Sequence, residues 1–298
     1  MEVLPEFLEK MILEQYGQEL LEKIKKGYFQ DRLTTLRVNT LKTEKEKIKN
    51  VFEEKGIKYK EINWYNDALI IENVKEEEIR KLEIYENGEI YLQSLSSMIP
   101  PIILNPKPEE NILDMASAPG GKTTQMSALS NGKAFITACE KNKIRAERLK
   151  YNIEKQGTKR ITIMTEDARK LDDFFSFDKI LLDAPCSGSG TINIKDEKIK
   201  NIFTDELIKR STKVQEELLM KAIKLLKPEQ EMVYSTCSIL KQENEEIVKK
   251  VLNKTKSKIV PIPELEGIPT LPVTIEGTMC VMPTELYEGF FVAKIKKC

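Results

Sequence analysis

The chain contains no histidine among its 298 residues. That removes the side chain most often used as a general base and the commonest nitrogen ligand for transition metals. Acid–base chemistry must therefore fall to carboxylates, lysines or thiols. Cysteine is scarce as well: five residues, at 139, 186, 237, 280 and 298, with no C-x-x-C pair. This spacing excludes the usual zinc sites and the thioredoxin motif, and no metal is expected. An odd, scattered set fits a reducing compartment better than a disulfide framework. Charge of one sign is missing too. The 48 basic residues are balanced by 48 acidic ones, so the basic excess usual in nucleic-acid binders is not there. No apolar run approaches the ~18–20 residues of a membrane span. The opening MEVLPEFLEKMILEQYG is acidic and amphipathic, without the basic head and apolar centre of a signal peptide. These absences point to a cytoplasmic protein with no membrane contact.

What is present is unevenly placed. Residues 1–100 carry 16 basic and 20 acidic side chains, and the remainder 32 and 28. Within 141–160, eight basic residues (Lys141, Lys143, Arg145, Arg148, Lys150, Lys155, Lys159 and Arg160) face only Glu147 and Glu154. The plain reading of that run is a solvated helix face.

Residues 5–26 repeat apolar positions at helical spacing, from Leu4 and Leu8 to Leu21 and Ile24. LTTLRVNT then reads as a strand, and Thr43 with Glu46 three later reads as a capping box opening a helix. IKYKEINWY and DALIIEN read as strands around a turn, VKEEEIRKL as a short helix, and IYENGEIYLQ as strand. The order β-α-β-β-α-β predicts a small ferredoxin-like α+β domain of the kind also used in RNA recognition. It lacks the aromatic pairs on which such sheets usually stack bases. From NILDMA onward strands (AFITACE, ITIMTED, DKILLDAP, MVYSTCS) alternate with helical segments. This predicts a doubly wound, mostly parallel α/β sheet. MCVMPTELYEGFFVAKI reads as a final hairpin closing an edge. The expected division is a helix plus small domain over 1–92 and the α/β domain over 93–298.

In such sheets ligands bind beyond the carboxyl ends of the strands, and each strand here ends in a polar or glycine-rich signal. The first ends in Asp114 and the loop Met115, Ala116, Ser117, Ala118, Pro119, Gly120, Gly121, followed by Lys122 and Thr123. It is one residue short of the phosphate loop G-x-x-x-x-G-K-[ST], with Ala116 in place of the opening glycine. Pro119 removes a backbone N–H from a loop whose phosphate-binding power would be its N–H groups. The next strands end in Glu140, Asp167 and Asp183. Four carboxylates around one crevice repel a triphosphate, so a P-loop NTPase is the weaker alternative. They suit a cationic ligand with a ribose diol, and S-adenosylmethionine has its sulfonium, ammonium and diol where acids would hold them.

Cys186 follows the fourth strand in DAPCSGSG and Cys237 the fifth in VYSTCS. If those strands are neighbours, both thiols open into one crevice beside the cofactor. A single cysteine is ordinarily a small buried hydrophobe, but both lie in polar, turn-forming surroundings. Methylation at C5 of a pyrimidine is the chemistry that needs a thiol beside a methyl donor. A thiolate adding to C6 turns the ring into an enamine whose C5 can attack. A protonated carboxyl, which suits Asp183, would stabilise the charge at N3. A second thiol could then assist release, and the base must be unpaired or flipped out. Chemistry alone leaves open which thiol attacks.

These segments resemble the Sun/Fmu-type RNA cytosine-5 methyltransferases. DMASAPGGKTT is similar to their cofactor loop, DAPCSGSG to their proline-cysteine motif and STCS to their second cysteine motif. LRVNTLK, QSLSSMIPP and GFFVAKIKK resemble their other signatures, and the likeness runs from about residue 33 to the end. The resemblance implies a Rossmann-like class I methyltransferase using S-adenosylmethionine. It implies that Cys237 attacks C6 while Cys186 assists release. It places the cofactor against residues 115–121 and Lys122, with Glu140 at the ribose, Asp167 at the adenine, Arg145 nearby, and Asp183 facing cofactor and cytosine. Spacing alone would equally make Arg145 a helix-surface charge. Thr284 stands where relatives commonly carry histidine, and the appended RNA-binding domain that some relatives carry is not expected. The expected substrate is RNA, tRNA ahead of rRNA, and not DNA. A monomer is expected, with room for a small accessory protein.

Overall fold

The computed structural model describes residues 4–193 and 203–298. Helix α1 (Glu6–Phe29) precedes a small sheet. That sheet is made by β1 (Thr34–Val38), α2 (Lys45–Glu54), β2 (Tyr59–Glu61), β3 (Ala68–Ile71), the one-turn helices α3 (Glu76–Ile79) and α4 (Glu83–Glu86), and β4 (Ile90–Leu92). Its order is β2-β3-β1-β4, with every pair antiparallel, which is the ferredoxin-like arrangement expected. Alternation along β1 divides its labour. Leu36 and Val38 enter a separate core with Phe52, Leu69, Ile71 and Ile90, while Thr35 and Arg37 point the other way. The Thr43–Glu46 capping box does not form. Glu44 is the N-cap of α2 and makes no side-chain cap bond, and Glu46 pairs with Lys49 at 3.0 Å instead. The helix starts one residue later than the box requires.

The second sheet begins after α5 (Leu95–Leu104). Its elements are β5 (Asn111–Asp114), α6 (Gly121–Leu129), β6 (Phe135–Cys139), α7 (Lys143–Lys155), β7 (Ile161–Met164), β8 (Phe177–Asp183), α8 (Asp205–Leu225), β9 (Leu226–Thr236), α9 (Glu245–Leu252), β10 (Ser257–Val260), β11 (Thr270–Leu271), β12 (Met279–Val281) and β13 (Phe290–Lys297). Strand order is β11-β12-β13-β9-β8-β5-β6-β7. β5 to β9 are parallel, as predicted. The C-terminal hairpin forms, and its second strand lies antiparallel to β9, paired beyond by β12 and β10. The strands are apolar on both faces because both are covered. Leu113, Ile180, Leu182, Tyr234 and Phe291 face one core. Ile112, Ile136, Leu181, Val233 and Val292 face the other, under α5 and α6. Helix α5 carries Pro100 and Pro101 inside it, yet eight of its ten residues are buried. Burial overrides the usual cost of interior proline.

Helix α1 is broken by Gly17, at φ 78° and ψ 172°. Its buried residues Leu8, Ile12, Leu21 and Ile24 join the core of the large sheet, not that of the small one with which the sequence reading groups it. Among the described residues no helix is long and apolar enough to cross a membrane.

Candidate active site

The loop from β5 to α6 is fastened at its start. The Met115 N–H donates to Leu181 O at 3.0 Å, and the Ser117 N–H and hydroxyl both donate to Cys139 O at 2.9 and 2.8 Å. Gly120 has φ 109°, and a Cβ there would lie 3.0 Å from the Leu149 side chain. Glycine is thus required by conformation and by the close approach of α7. Beneath the loop, Thr123 donates to Asp114 Oδ2 at 2.7 Å. Burial raises the Asp114 carboxyl to about 7. The small domain braces the same helix. Arg37, fully buried, donates to Thr124 Oγ1 at 2.7 Å, Gly121 O at 3.1 Å and Gln93 Oε1 at 2.9 Å.

Two cavities meet at Ala116. The first is lined by Glu140, Arg145, Asp167 and the apolar Ala168, Val214 and Leu218. Glu140 is buried at the end of β6, and its Oε1 accepts the Asn142 N–H at 2.8 Å. Asn142 in turn caps α7. Arg145 Nη1 lies 3.4 Å from Glu140 Oε2, and its Nη2 donates to Ala118 O at 2.7 Å. That contact ties α7 to the loop, which a plain helix-surface charge would not do. Asp167 accepts from Arg169 through both oxygens, and those bonds hold its carboxyl below the usual range. An apolar slot flanked by two carboxylates fits an adenosine, with acceptors for its diol and its amino group.

The second cavity is lined by Lys122, Asp183, Cys237, Ser97, Tyr91 and Phe290, among others. Lys122 Nζ pairs with Asp183 Oδ2 at 2.7 Å and donates to Ser97 Oγ at 2.8 Å. A lysine so engaged is not the free phosphate ligand of a triphosphate loop. Asp183 Oδ1 accepts from Ser235 at 2.7 Å. Because β8 and β9 are adjacent and parallel, the cysteines following them meet, with 3.1 Å between Cys186 Sγ and Cys237 Sγ.

The turns carrying the thiols are buttressed from afar. Tyr28 donates to Ser189 O at 2.5 Å and Tyr16 to Ile239 O at 2.6 Å, both from α1. Ser189 and Ser238 bond to each other at 2.8 Å. Glu243 accepts the Ser187 N–H at 2.7 Å and its hydroxyl at 2.6 Å. Sequence reasoning missed Glu243, Gln215 and Ser97 as individuals, although Ser97 stands inside the quoted QSLSSMIPP. Most of the basic run of 141–160 is exposed. Lys155 is the exception that turns toward a cleft of the small domain, with its Nζ 3.8 Å from the Tyr85 ring centroid.

Residues 101–296 match the family model described as 16S rRNA methyltransferase RsmB/F. The chain belongs to the RsmB/F family. Residues 4–76 also match the RsmF/B-like ferredoxin-like domain, in accord with the small sheet. Among RsmB/F relatives, it is 36% identical over 272 residues to ribosomal RNA small subunit methyltransferase F of Shewanella sp. (strain ANA-3), covering 88% of this chain and 56% of that protein. The chain thus spans little more than half the length of such relatives. It is 34% identical over 275 residues to the tRNA (cytosine(49)-C(5))-methyltransferase of Pyrococcus abyssi, covering 88% of each. The crystal structure of NSun6 from Pyrococcus horikoshii, solved with an S-adenosylmethionine analogue, superposes with a TM-score of 0.88 at 26% identity over 99% of both chains.

Proposed function

We propose that this chain transfers a methyl group from S-adenosylmethionine to C5 of a cytosine in RNA, with tRNA as the substrate. The observation that carries the reading is the pair of thiols 3.1 Å apart beside the Lys122–Asp183 ion pair. That wall offers a nucleophile for C6 together with a donor and an acceptor for the N3 and exocyclic amine of a flipped-out cytosine. Cys237 forms the S–C6 bond, and the Lys122–Asp183 pair stabilises the charge that develops on the ring. When bound, the cofactor supplies the electrophilic methyl. Glu140 and Asp167 hold its adenosine, and Met115 to Lys122 form the floor. Afterwards the C5 proton passes to water, the C5–H electron pair restores the C5=C6 double bond, and the S–C6 bond breaks with its pair returning to the Cys237 sulfur. Cys186 stands against the departing sulfur and can stabilise it through its S–H. The tRNA preference is supported by the match to the archaeal tRNA enzyme along 88% of both chains, against 56% of the rRNA enzyme.

The test is incubation with unmodified total tRNA, and separately with rRNA, plus methyl-labelled cofactor, followed by digestion to nucleosides. Label in 5-methylcytidine from tRNA is expected. Label from rRNA alone would move the substrate, and no label in either pool, with cofactor bound, would sink the reading.

A further inference from the structure

Two thiols 3.1 Å apart, both partly exposed, are chemically alike. Their surroundings are not. Cys237 shares a cavity with Lys122. Burial works against the Lys122 charge, but Asp183 outweighs it, with Cys237 and Asp114 adding to the effect, and the ammonium is held above the ordinary lysine range. The other acids in that cavity are offset. Asp114 is engaged by Thr123 at 2.7 Å, and Glu288 is engaged by Ser94 at 2.7 Å and by Arg32 at 3.8 Å.

On the other side stands Glu243. Its carboxylate takes the N–H and hydroxyl of Ser187, the residue after Cys186, and Gln215 Nε2 at 3.3 Å. Glu243 is fully buried, and among the described residues no basic side chain pairs with it. A buried carboxylate balanced only by dipoles projects its charge onto its neighbours, since no counter-ion cancels it.

We propose that Glu243 divides the labour of the two thiols: its buried carboxylate, anchored on Ser187 and lacking a cation, keeps the proton on Cys186 and leaves Cys237 as the sulfur that attacks. The Cys186 S–H then donates along the 3.1 Å contact to the Cys237 sulfur. In keeping with this, the Cys186 thiol is held well above the ordinary thiol range, by its bond to Cys237, by burial, and by the charges of Cys237 and Glu243. Glu243 is thus a positioning residue, placing a proton and not touching substrate. The idea rests on Cys237 being the attacking thiol, but its test reads thiol reactivity and needs no RNA.

The folded protein is treated with substoichiometric iodoacetamide at about pH 8, where the thiolate and not the thiol reacts. Labelled peptides are then quantified by mass, with exposed Cys298 as internal reference. Label on Cys237 in excess of Cys186 is expected. Glu243→Gln retains hydrogen-bonding capacity toward Ser187 and removes the charge, so the Cys237:Cys186 ratio should fall by about tenfold, the equivalent of one pKa unit. An unchanged ratio in folded Glu243→Gln, or equal labelling in the wild type, overturns the proposal. Should Glu243→Gln not fold, Ser187→Ala decides. It removes an anchor and keeps the charge, so the ratio should stay with Cys237, and a fall toward Cys186 would mean that anchoring alone sets the preference. A shifted ratio in a protein that methylates no RNA would leave the thiol assignment standing while the proposed function failed.

Discussion

The two cavities that meet at Ala116 are built by different means. The one holding Glu140 and Asp167 is assembled mainly from strand ends and the turns that follow them, with Val214 and Leu218 of α8 as its apolar wall: Glu140 is fixed by Asn142 two residues on, and Asp167 by Arg169 two residues on. The cavity holding the thiols is assembled from segments far apart in sequence. Lys122 reaches Asp183, Ser97 comes from α5, Phe290 from β13 and Tyr91 from the small domain. The polar contacts of the first are thus set largely by local geometry, whereas the second exists only when the whole chain is folded.

If the halves are functionally separate, single substitutions should disable one and spare the other. The largest effect is expected of Cys237→Ala, with methyl transfer reduced by ~10³-fold or more and cofactor affinity by calorimetry unchanged. Loss of cofactor binding would join what the comparison separates. Cys186→Ala should keep bond formation and lose release, so an RNA–protein adduct that survives denaturant should accumulate on a gel. Glu140→Gln acts on the other half. Removing a charged acceptor from the diol should weaken cofactor binding about tenfold to a hundredfold while RNA affinity holds. Lys155→Glu tests the approach to the second cavity. RNA binding should weaken uniformly across sequences, and the slope of affinity against salt should become shallower by about one phosphate contact. A flat salt response in the wild type would return the 141–160 run to a solvated face.

A separate prediction concerns stability. Asp114 has a carboxyl raised to about 7 in the folded protein, against about 3.9 unfolded. Between those values the folded chain binds more protons than the unfolded one, so stability falls as pH rises from about 4 to about 7, by on the order of a few kcal/mol. Asp114→Asn should flatten thermal midpoints across that window, and an unaltered slope would remove Asp114 as its cause.

The same contrast explains what could be read in advance. The parallel sheet, the glycine loop, the strand-end acids and the two cysteine turns all carry local signals, because each is a strand running into a turn. Glu243 and Gln215 carry none, and Ser97 only as one residue inside QSLSSMIPP. Glu243 lies in an acidic stretch, QENEEIV, that reads as solvent-facing, and only the packing of α8 and α9 shows it to be buried. Helix α5 was hidden by its two prolines and the break in α1 by an unremarked Gly17. The capping box failed because a pattern of two residues does not say where a helix begins.

The first helix has a consequence for synthesis. Tyr16 and Tyr28 lock onto Ile239 and Ser189, between 161 and 223 residues further along the chain. α1 is therefore made long before its seat. At ~5–20 residues per second, its apolar face waits roughly ten to forty seconds before the turns that it supports exist. Until then neither thiol turn has its brace from α1, so a nascent chain that already carries every residue lining the first cavity still lacks the packing that brings Cys186 and Cys237 together.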